Sequence, residues 1–295
     1  DELENSIFST GFTFLRCKKE FCESKFLFYI IKNNIFQEIK DNLAVDGIMG
    51  GIRKSDILKI YLPCPPLEIQ KEIVAEIEEY QKIIDGAKQV VENYKPRIEI
   101  DPDWELIELN KICEINPKKS EISDLDENTF VSFVPMEDIN FDMYFIPKQE
   151  KKIKDVYKGY TYFKNNDVIV AKVTPCFENG KSGIAKDLKN GIGFGTTELH
   201  IIRPSKNILP EFIYPFISSA SFIKNGKTQM TGTGGLQRVP ARYIESLKIP
   251  IPSIETQKQI VTQIEKERKT IEANKELVII FEKKINAKIE SVWKK

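Results

Sequence analysis

The segment LPCPPLEIQKEIVAEIE at 62–78 returns as IPIPSIETQKQIVTQIE at 249–265, 187 residues further on. Nine of the seventeen positions are identical, and half of the others exchange Leu for Ile or Glu for Gln. One chain that writes the same proline-led helix start twice is restricted to folds in which a unit and its helix both recur.

A heptad pattern follows each block. In the first copy Ile73, Ile77, Tyr80, Ile84, Ala87, Val91 and Tyr94 alternate steps of four and three, with Glu and Lys on the other faces. Pro66 suits a first helical turn and Pro96 an end. Such a helix is about 45 Å long at 1.5 Å per residue. The second copy keeps the register through Ile260, Ile264, Ile271, Val278, Phe281, Ile285 and Val292, with the polar residues Glu267, Asn274 and Lys288 also on the seam. Polar seam positions fix register at a cost in stability. The two helices are expected to pack on each other, antiparallel, because a whole domain lies between them.

The repeat extends upstream. STGFTFLRCKK at 9–19 aligns with TTELHIIRPSK at 196–206, pairing Arg16 with Arg203, and MGGIRKSDI at 49–57 answers TGGLQRVPARYI at 233–244. Each unit is thus a mixed domain followed by a long helix, and the first unit lacks its front. The expected organisation is the last part of a first domain at 1–65, a central helix at 66–98, a complete domain at 99–252 and a C-terminal helix at 253–295. The partial domain is expected to expose Phe26, Phe28 and Ile30. Within the complete domain FVSFVPM, YTYF, DVIVAKV, GIAKDL and TTELHIIRP read as strands, and LPEFIYPFISSASFIKNG as one helix. The fold class is α+β, mixed strands and short helices joined by two long antiparallel coiled-coil helices.

Several chemistries find no footing. One histidine, His200, argues against zinc sites and hydrolytic triads and reads as structural. Five cysteines without a CxxC pair read as reduced thiols. ENGKSG at 178–183 ends like a phosphate loop, but Pro175 stands where that loop needs glycine. TGTGGLQR at 231–238 has the glycine spacing of a dinucleotide turn without a strand–turn–helix unit around it. Asp138, Glu150 and Lys152 imitate a metal nuclease pattern in a segment so charged that the match is cheap. No cofactor, metal or catalytic constellation is expected. No apolar run reaches the ~18 residues of a membrane span and DELENSIFST is no leader, so a cytoplasmic protein away from membranes is expected.

Charge is balanced overall at 44 basic and 44 acidic residues, but not locally. Residues 101–157 hold 14 acids and 7 bases, whereas 158–250 hold 6 acids and 13 bases, which gives the second stretch a surface able to hold phosphates.

A variable domain, a PxPPLEIQKEIVAEIE block and a long helix, then the same again, resembles the specificity subunit of Type I restriction–modification enzymes. TPCFENGK at 174–181, FGTTELHIIRP at 194–204 and GTGGLQRVP at 232–240 carry the same likeness. The resemblance implies that each recognition domain reads half of a bipartite site in double-stranded DNA. The helices then form an antiparallel spacer and dock adenine-specific methyltransferase subunits, and restriction and translocase subunits join through the complex. A rod of about 45 Å spans about 13 base pairs at 3.4 Å each. It also implies a chain without chemistry of its own. The segment around the central helix resembles methyltransferases with a fused specificity region as well. A coiled-coil scaffold would explain the heptads but not the basic domain, and a nuclease or methyltransferase would need chemistry the sequence does not offer.

For base reading and phosphate contact the candidates are Lys172, Thr174, Asn179 and Lys181 in one loop and Thr231, Thr233, Gln237 and Arg238 in another, with Arg53 and Lys54 in the partial domain. Arg238 is expected on a phosphate, because glycine-rich loops offer amides to anions.

Overall fold

The computed structural model describes residues 13–43, 52–94, 97–139, 143–233 and 235–294. Residues 9–12 and 49–51 of the upstream repeat, Pro96 and Gly234 lie outside the described residues. The chain divides into two compact units, Asp1–Tyr94 with Arg268–Lys295, and Lys95–Glu267.

In the first unit, α1 (Ser24–Lys32), α2 (Asn34–Leu43) and α3 (Lys54–Ile57) precede α4 (Leu67–Asn93). The Glu23 carboxylate caps α1 by accepting from the Phe26 amide at 2.7 Å. Phe26 and Ile30, four residues apart on one face of α1, pack on Ile73, Val74 and Ile77 of α4. The expectation of exposure therefore fails for Phe26 and Ile30, which are buried, and stands only for Phe28. The first turns of α4 cover that face.

The 27 residues of α4 give a helix of about 40 Å. Opposite it runs the end of the last helix, Ile254–Trp293. Glu76 pairs with Lys288, the Tyr80 and Phe281 rings lie 5.3 Å apart, and Lys88 bonds Glu282 at 2.9 Å. From Glu76 to Lys88 on α4 the partner moves back from Lys288 to Glu282, so the pair is antiparallel. Ile73, Ile77, Ile84 and Ala87 are buried, as is Ile271, while Tyr80, Val91, Val278 and Phe281 are half-buried. Of the polar seam positions, Lys288 crosses to Glu76, whereas Asn274 bonds the Thr270 carbonyl of its own helix.

Ile260 and Ile264 correct the seam. Both pack in the core of the second unit, with Ile213 and Phe222. A long helix first lies on its own domain and only later on its partner, and both stretches use the same apolar periodicity. The heptad pattern cannot tell the two apart.

The second unit comprises β1 (Glu105–Glu108), α5 (Leu109–Ile112), β2 (Cys113–Ile115), β3 (Phe130–Val134), β4 (Tyr144–Phe145), β5 (Gln149–Lys152) and α6 (Ile153–Val156). There follow β6 (Thr161–Lys164), β7 (Val168–Ala171), β8 (Ser182–Ala185), β9 (Ile192–Gly195), β10 (Leu199–Pro204), α7 (Pro210–Ile217), α8 (Ala220–Lys227), α9 (Ala241–Glu245), β11 (Lys248–Ile251) and the start of α10 (Ile254–Trp293). The strands form a pair β1-β11, a five-stranded sheet β2-β10-β7-β8-β4 and a four-stranded sheet β5-β3-β9-β6.

Alternation decides the layering. Val168, Val170, Ile184 and Ile202 face Ile213, Phe222 and Tyr243 of the helices, whereas Ile169, Ala171, Ala185 and Ile201 face Phe163 and Val134 of the four-stranded sheet. That sheet's other face, with Val131, Phe133, Tyr162 and Phe194, is covered by Ile122, Ile153 and Val156. A sheet covered on both faces needs continuous apolar strands, which is why VIVA is buried at every position. The helix expected over 209–226 is two helices, because Ser218 ends one and Ser219 caps the next by accepting from the Phe222 amide at 3.1 Å.

The repeat has a physical core of its own in two buried glutamines. Gln70 accepts from the Glu23 amide at 2.9 Å and donates to the Phe21 and Pro65 carbonyls. Gln257 accepts from the Leu209 amide at 3.0 Å and donates to the Asn207 and Pro252 carbonyls. Each ties the chain before a domain helix to the start of a long helix. Gln257→Leu fits the space but strands one amide and two carbonyls, so it should cost about 2–3 kcal/mol. Gln70→Leu should behave alike in the first unit. Urea unfolding of both variants checks this, and a loss under about 0.5 kcal/mol in either would mean that the tie is replaceable by water.

Candidate nucleic-acid interface

Three segments converge where β7 ends. The Lys172 amide donates to the Glu198 carbonyl at 2.9 Å, just before β10, and the Val239 amide donates to the Lys172 carbonyl at 2.8 Å. The glycine-rich segment is thereby sewn to 172–174. The Thr174 amide donates to the Gln237 carbonyl at 2.9 Å, and its hydroxyl donates to the Gly235 carbonyl at 3.0 Å while accepting from the Gln237 amide at 2.8 Å. Thr231 and Arg238 exchange both backbone bonds. Gly232 has φ +138°, and a Cβ there would meet the Leu236 carbonyl oxygen at 2.4 Å, so the loop closes only with glycine.

Lys172, Thr174, Thr231, Gln237 and Arg238 are thus brought to one place. Asn179 and Lys181 lie along the turn from Pro175 back to β8, where the Asn179 amide donates to the Pro175 carbonyl at 2.9 Å. Lys181 is engaged, its ammonium donating to the Met136 carbonyl at 2.8 Å. Thr233 and Asn179 are exposed. Arg53 and Lys54 are exposed at the start of α3 in the first unit, and belong to a different place. The GKS of 180–182 leads into β8 rather than a helix, which removes the phosphate-loop likeness. Asp138, Glu150 and Lys152 do not converge: Asp138 pairs with Lys148 at 3.2 Å and Glu150 with Lys189 at 3.4 Å, while Lys152 lies over the Phe130 ring.

The residue that sequence reasoning missed is Glu198. Arg238 Nε donates to its Oε2 at 2.8 Å and Nη2 to its Oε1 at 2.7 Å, a two-pronged pair. Those bonds hold the Glu198 carboxyl below the usual carboxylate range, with the Lys172 charge adding to the effect. The amides meant for an anion are also occupied, since Leu236, Gln237 and Arg238 donate to the Thr233 carbonyl, the Thr174 hydroxyl and the Thr231 carbonyl. A carboxylate in TTEL, one residue from a strand and beside a basic loop, was the available signal.

His200 fixes the loop from beneath. Its Nε2 lies 2.8 Å from the Val239 carbonyl, so that nitrogen carries the proton, and Nδ1 accepts from the Asn116 side chain at 3.2 Å. Burial pushes its pKa down. A histidine whose folded pKa lies below its unfolded value of about 6.5 costs stability as pH falls below that value. Between pH 7 and 5.5 the stability of the wild type should fall more steeply than that of His200→Gln. Parallel urea titrations across that window check it, and equal slopes would mean that His200 does not titrate on unfolding.

Comparison with known proteins places these features. The family model for the Type I restriction modification DNA specificity domain matches residues 3–93 and 102–289. Over 204 residues the chain is 42% identical to the Type I restriction enzyme EcoAI specificity subunit of Escherichia coli, covering 67% of this chain and 34% of that protein. It is 41% identical to the EcoEI specificity subunit of the same organism, with the same coverage. The chain therefore spans about a third of the length of these relatives. A solved structure from work on complex assembly and conformational transition of the type I R-M system aligns with a TM-score of 0.56 at 16% identity, over 94% of this chain and 73% of that one. The family model covers both copies of the repeat and more than nine-tenths of the chain: the chain belongs to the Type I restriction modification DNA specificity domain family.

Proposed function

We propose that this chain is a DNA-reading part of a Type I restriction–modification enzyme, with no chemistry of its own. The second unit binds double-stranded DNA through Lys172, Thr174, Thr231, Thr233, Gln237 and Arg238, with Asn179 and Lys181 on the flanking turn. Arg53 and Lys54 serve the corresponding loop of the first unit. The long helices dock adenine-specific methyltransferase subunits, and restriction and translocase subunits join through that assembly, in the cytoplasm.

The observation that carries this reading is the convergence of 172–174 and 231–239 in a family whose domain is a DNA specificity domain. Polar side chains and two cations are presented there on a backbone tied down at both ends, which is what groove reading requires. The test is selection of duplexes from a random pool by the chain together with methyltransferase subunits. Enrichment of one short motif, weakened by Gln237→Ala, is expected. A pool that stays random with the complete complex would overturn the proposal.

A further inference from the structure

We infer that Glu198 holds Arg238 as a guanine reader in the major groove, so that this pair determines one base of the recognised sequence. The inference rests on the DNA-reading proposal and assigns a role within it. A guanidinium has five N–H donors in one plane. Glu198 takes two of them, one from Nε and one from Nη2. What remains is the end edge: both hydrogens of Nη1 and the second of Nη2. Those present a parallel pair of donors, the fork that fits guanine O6 and N7. The side chain keeps 41% of its surface in solvent, so the edge is reachable.

Three features favour a base over a phosphate. The pair is neutral as a whole, and a phosphate gains little from a cation already balanced by a carboxylate. Glu198 would itself face that phosphate as a like charge. The loop amides that would have joined in an anion site are turned onto Thr233, Thr174 and Thr231. A base edge needs none of this charge. It needs donors fixed in direction, and the carboxylate supplies that by immobilising an otherwise flexible side chain. Glu198 is in turn fixed through its backbone, since its carbonyl accepts from Lys172 at 2.9 Å and its amide donates to the Thr196 hydroxyl at 3.2 Å. Glu198 is thus a positioning residue and Arg238 the contact.

The experiment uses the full chain with methyltransferase subunits, random duplex pools, and salt titrations on the enriched and a scrambled duplex. Arg238→Gln should replace a guanine preference at one position by adenine, or abolish it, with affinity for the wild-type motif falling about 10- to 100-fold. Its salt slope should stay the same. Arg238→Lys keeps the charge but not the fork, and should lose the same preference. Glu198→Gln should lower discrimination at that position and raise affinity for the scrambled duplex, because the freed cation now attracts phosphates. A purely structural latch would not produce that rise. The inference is overturned if Arg238→Gln enriches the wild-type motif while its salt slope drops by about one unit, which marks a phosphate contact. It is overturned equally if Arg238→Gln, Arg238→Lys and Glu198→Gln all leave the motif unchanged. A wild-type complex that enriches nothing would instead sink the DNA-reading proposal, and the guanine assignment with it.

Discussion

Ile77→Asp should destabilise the first unit by about 4–5 kcal/mol, enough to unfold a marginal domain. Ile77 is fully buried among Phe26, Ile30, Ile73, Val74 and Ile289, so a carboxylate there finds only hydrocarbon. The change loses the transfer energy of a buried isoleucine and adds the cost of desolvating a charge or protonating it. Val90 lies on the same helix but is 45% exposed, and Val90→Asp should stay within about 0.5 kcal/mol of wild type. Trp293 packs against the Ile77 cluster, and the chain has two tryptophans, so unfolding followed by fluorescence in a Trp104→Phe background reports on this unit. An unchanged midpoint for Ile77→Asp would remove that residue from the core.

Ile77 also shows what the sequence can and cannot convey. The duplicated block and the heptads announce the two long helices because periodicity persists over many turns and is hard to produce otherwise. The same periodicity misplaces Ile260 and Ile264, since a domain core and a partner helix ask for the same apolar spacing. Strands inside the sheets were legible as apolar runs. Strand β5 reads QEKK and lies at a sheet edge, where charge protects the unpaired side and hides the strand from any hydrophobic criterion. Strand β9 reads IGFG and looks like a turn. Its Gly193 is there because a Cβ would sit 2.1 Å from the Phe163 ring.

The binding loops were legible as polar, glycine-containing stretches with basic residues. Their internal pairings were not, because these join segments far apart in sequence, as Thr174 does with Gln237, 63 residues on. Arg238 illustrates the gap. Sequence places an arginine beside glycines and suggests an anion, whereas the fold brings Glu198 onto the guanidinium and turns the neighbouring amides inward. Lys181 looked available and is engaged with the Met136 carbonyl. In both cases the fold supplies the competing partner.

Arg203→Ala should cost the second unit about 3–5 kcal/mol, because it leaves a buried carboxylate without its cation. Arg203 Nε and Nη2 fork onto both oxygens of Asp167 at 2.8 Å, and Nη1 reaches both oxygens of Glu121 at 2.9 and 2.8 Å. Glu121 also binds Lys164 at 2.8 Å and Tyr162 at 3.1 Å. Arg203 and Asp167 belong to the five-stranded sheet and its approach, Lys164 and Tyr162 to the four-stranded one, so the cluster clamps the two sheets together. The Asp167 side chain is 1% exposed, and burial already holds its pKa above the ordinary value despite the arginine. Removing Arg203 raises it further. A carboxyl whose folded pKa exceeds its unfolded value binds more protons when folded, so the variant gains stability relative to wild type as pH falls through that raised pKa. The loss should therefore be full at pH 7 and shrink in acid. Arg203→Met combined with Asp167→Asn should recover most of it, since no charge is then left unpaired and an acceptor remains for the Lys164 amide. Urea titrations of the single and double variants at pH 7 and pH 5 decide the matter. A single variant with a pH-independent loss, or a double variant no better than the single, would show that Arg203 stabilises by packing its side chain rather than by neutralising Asp167.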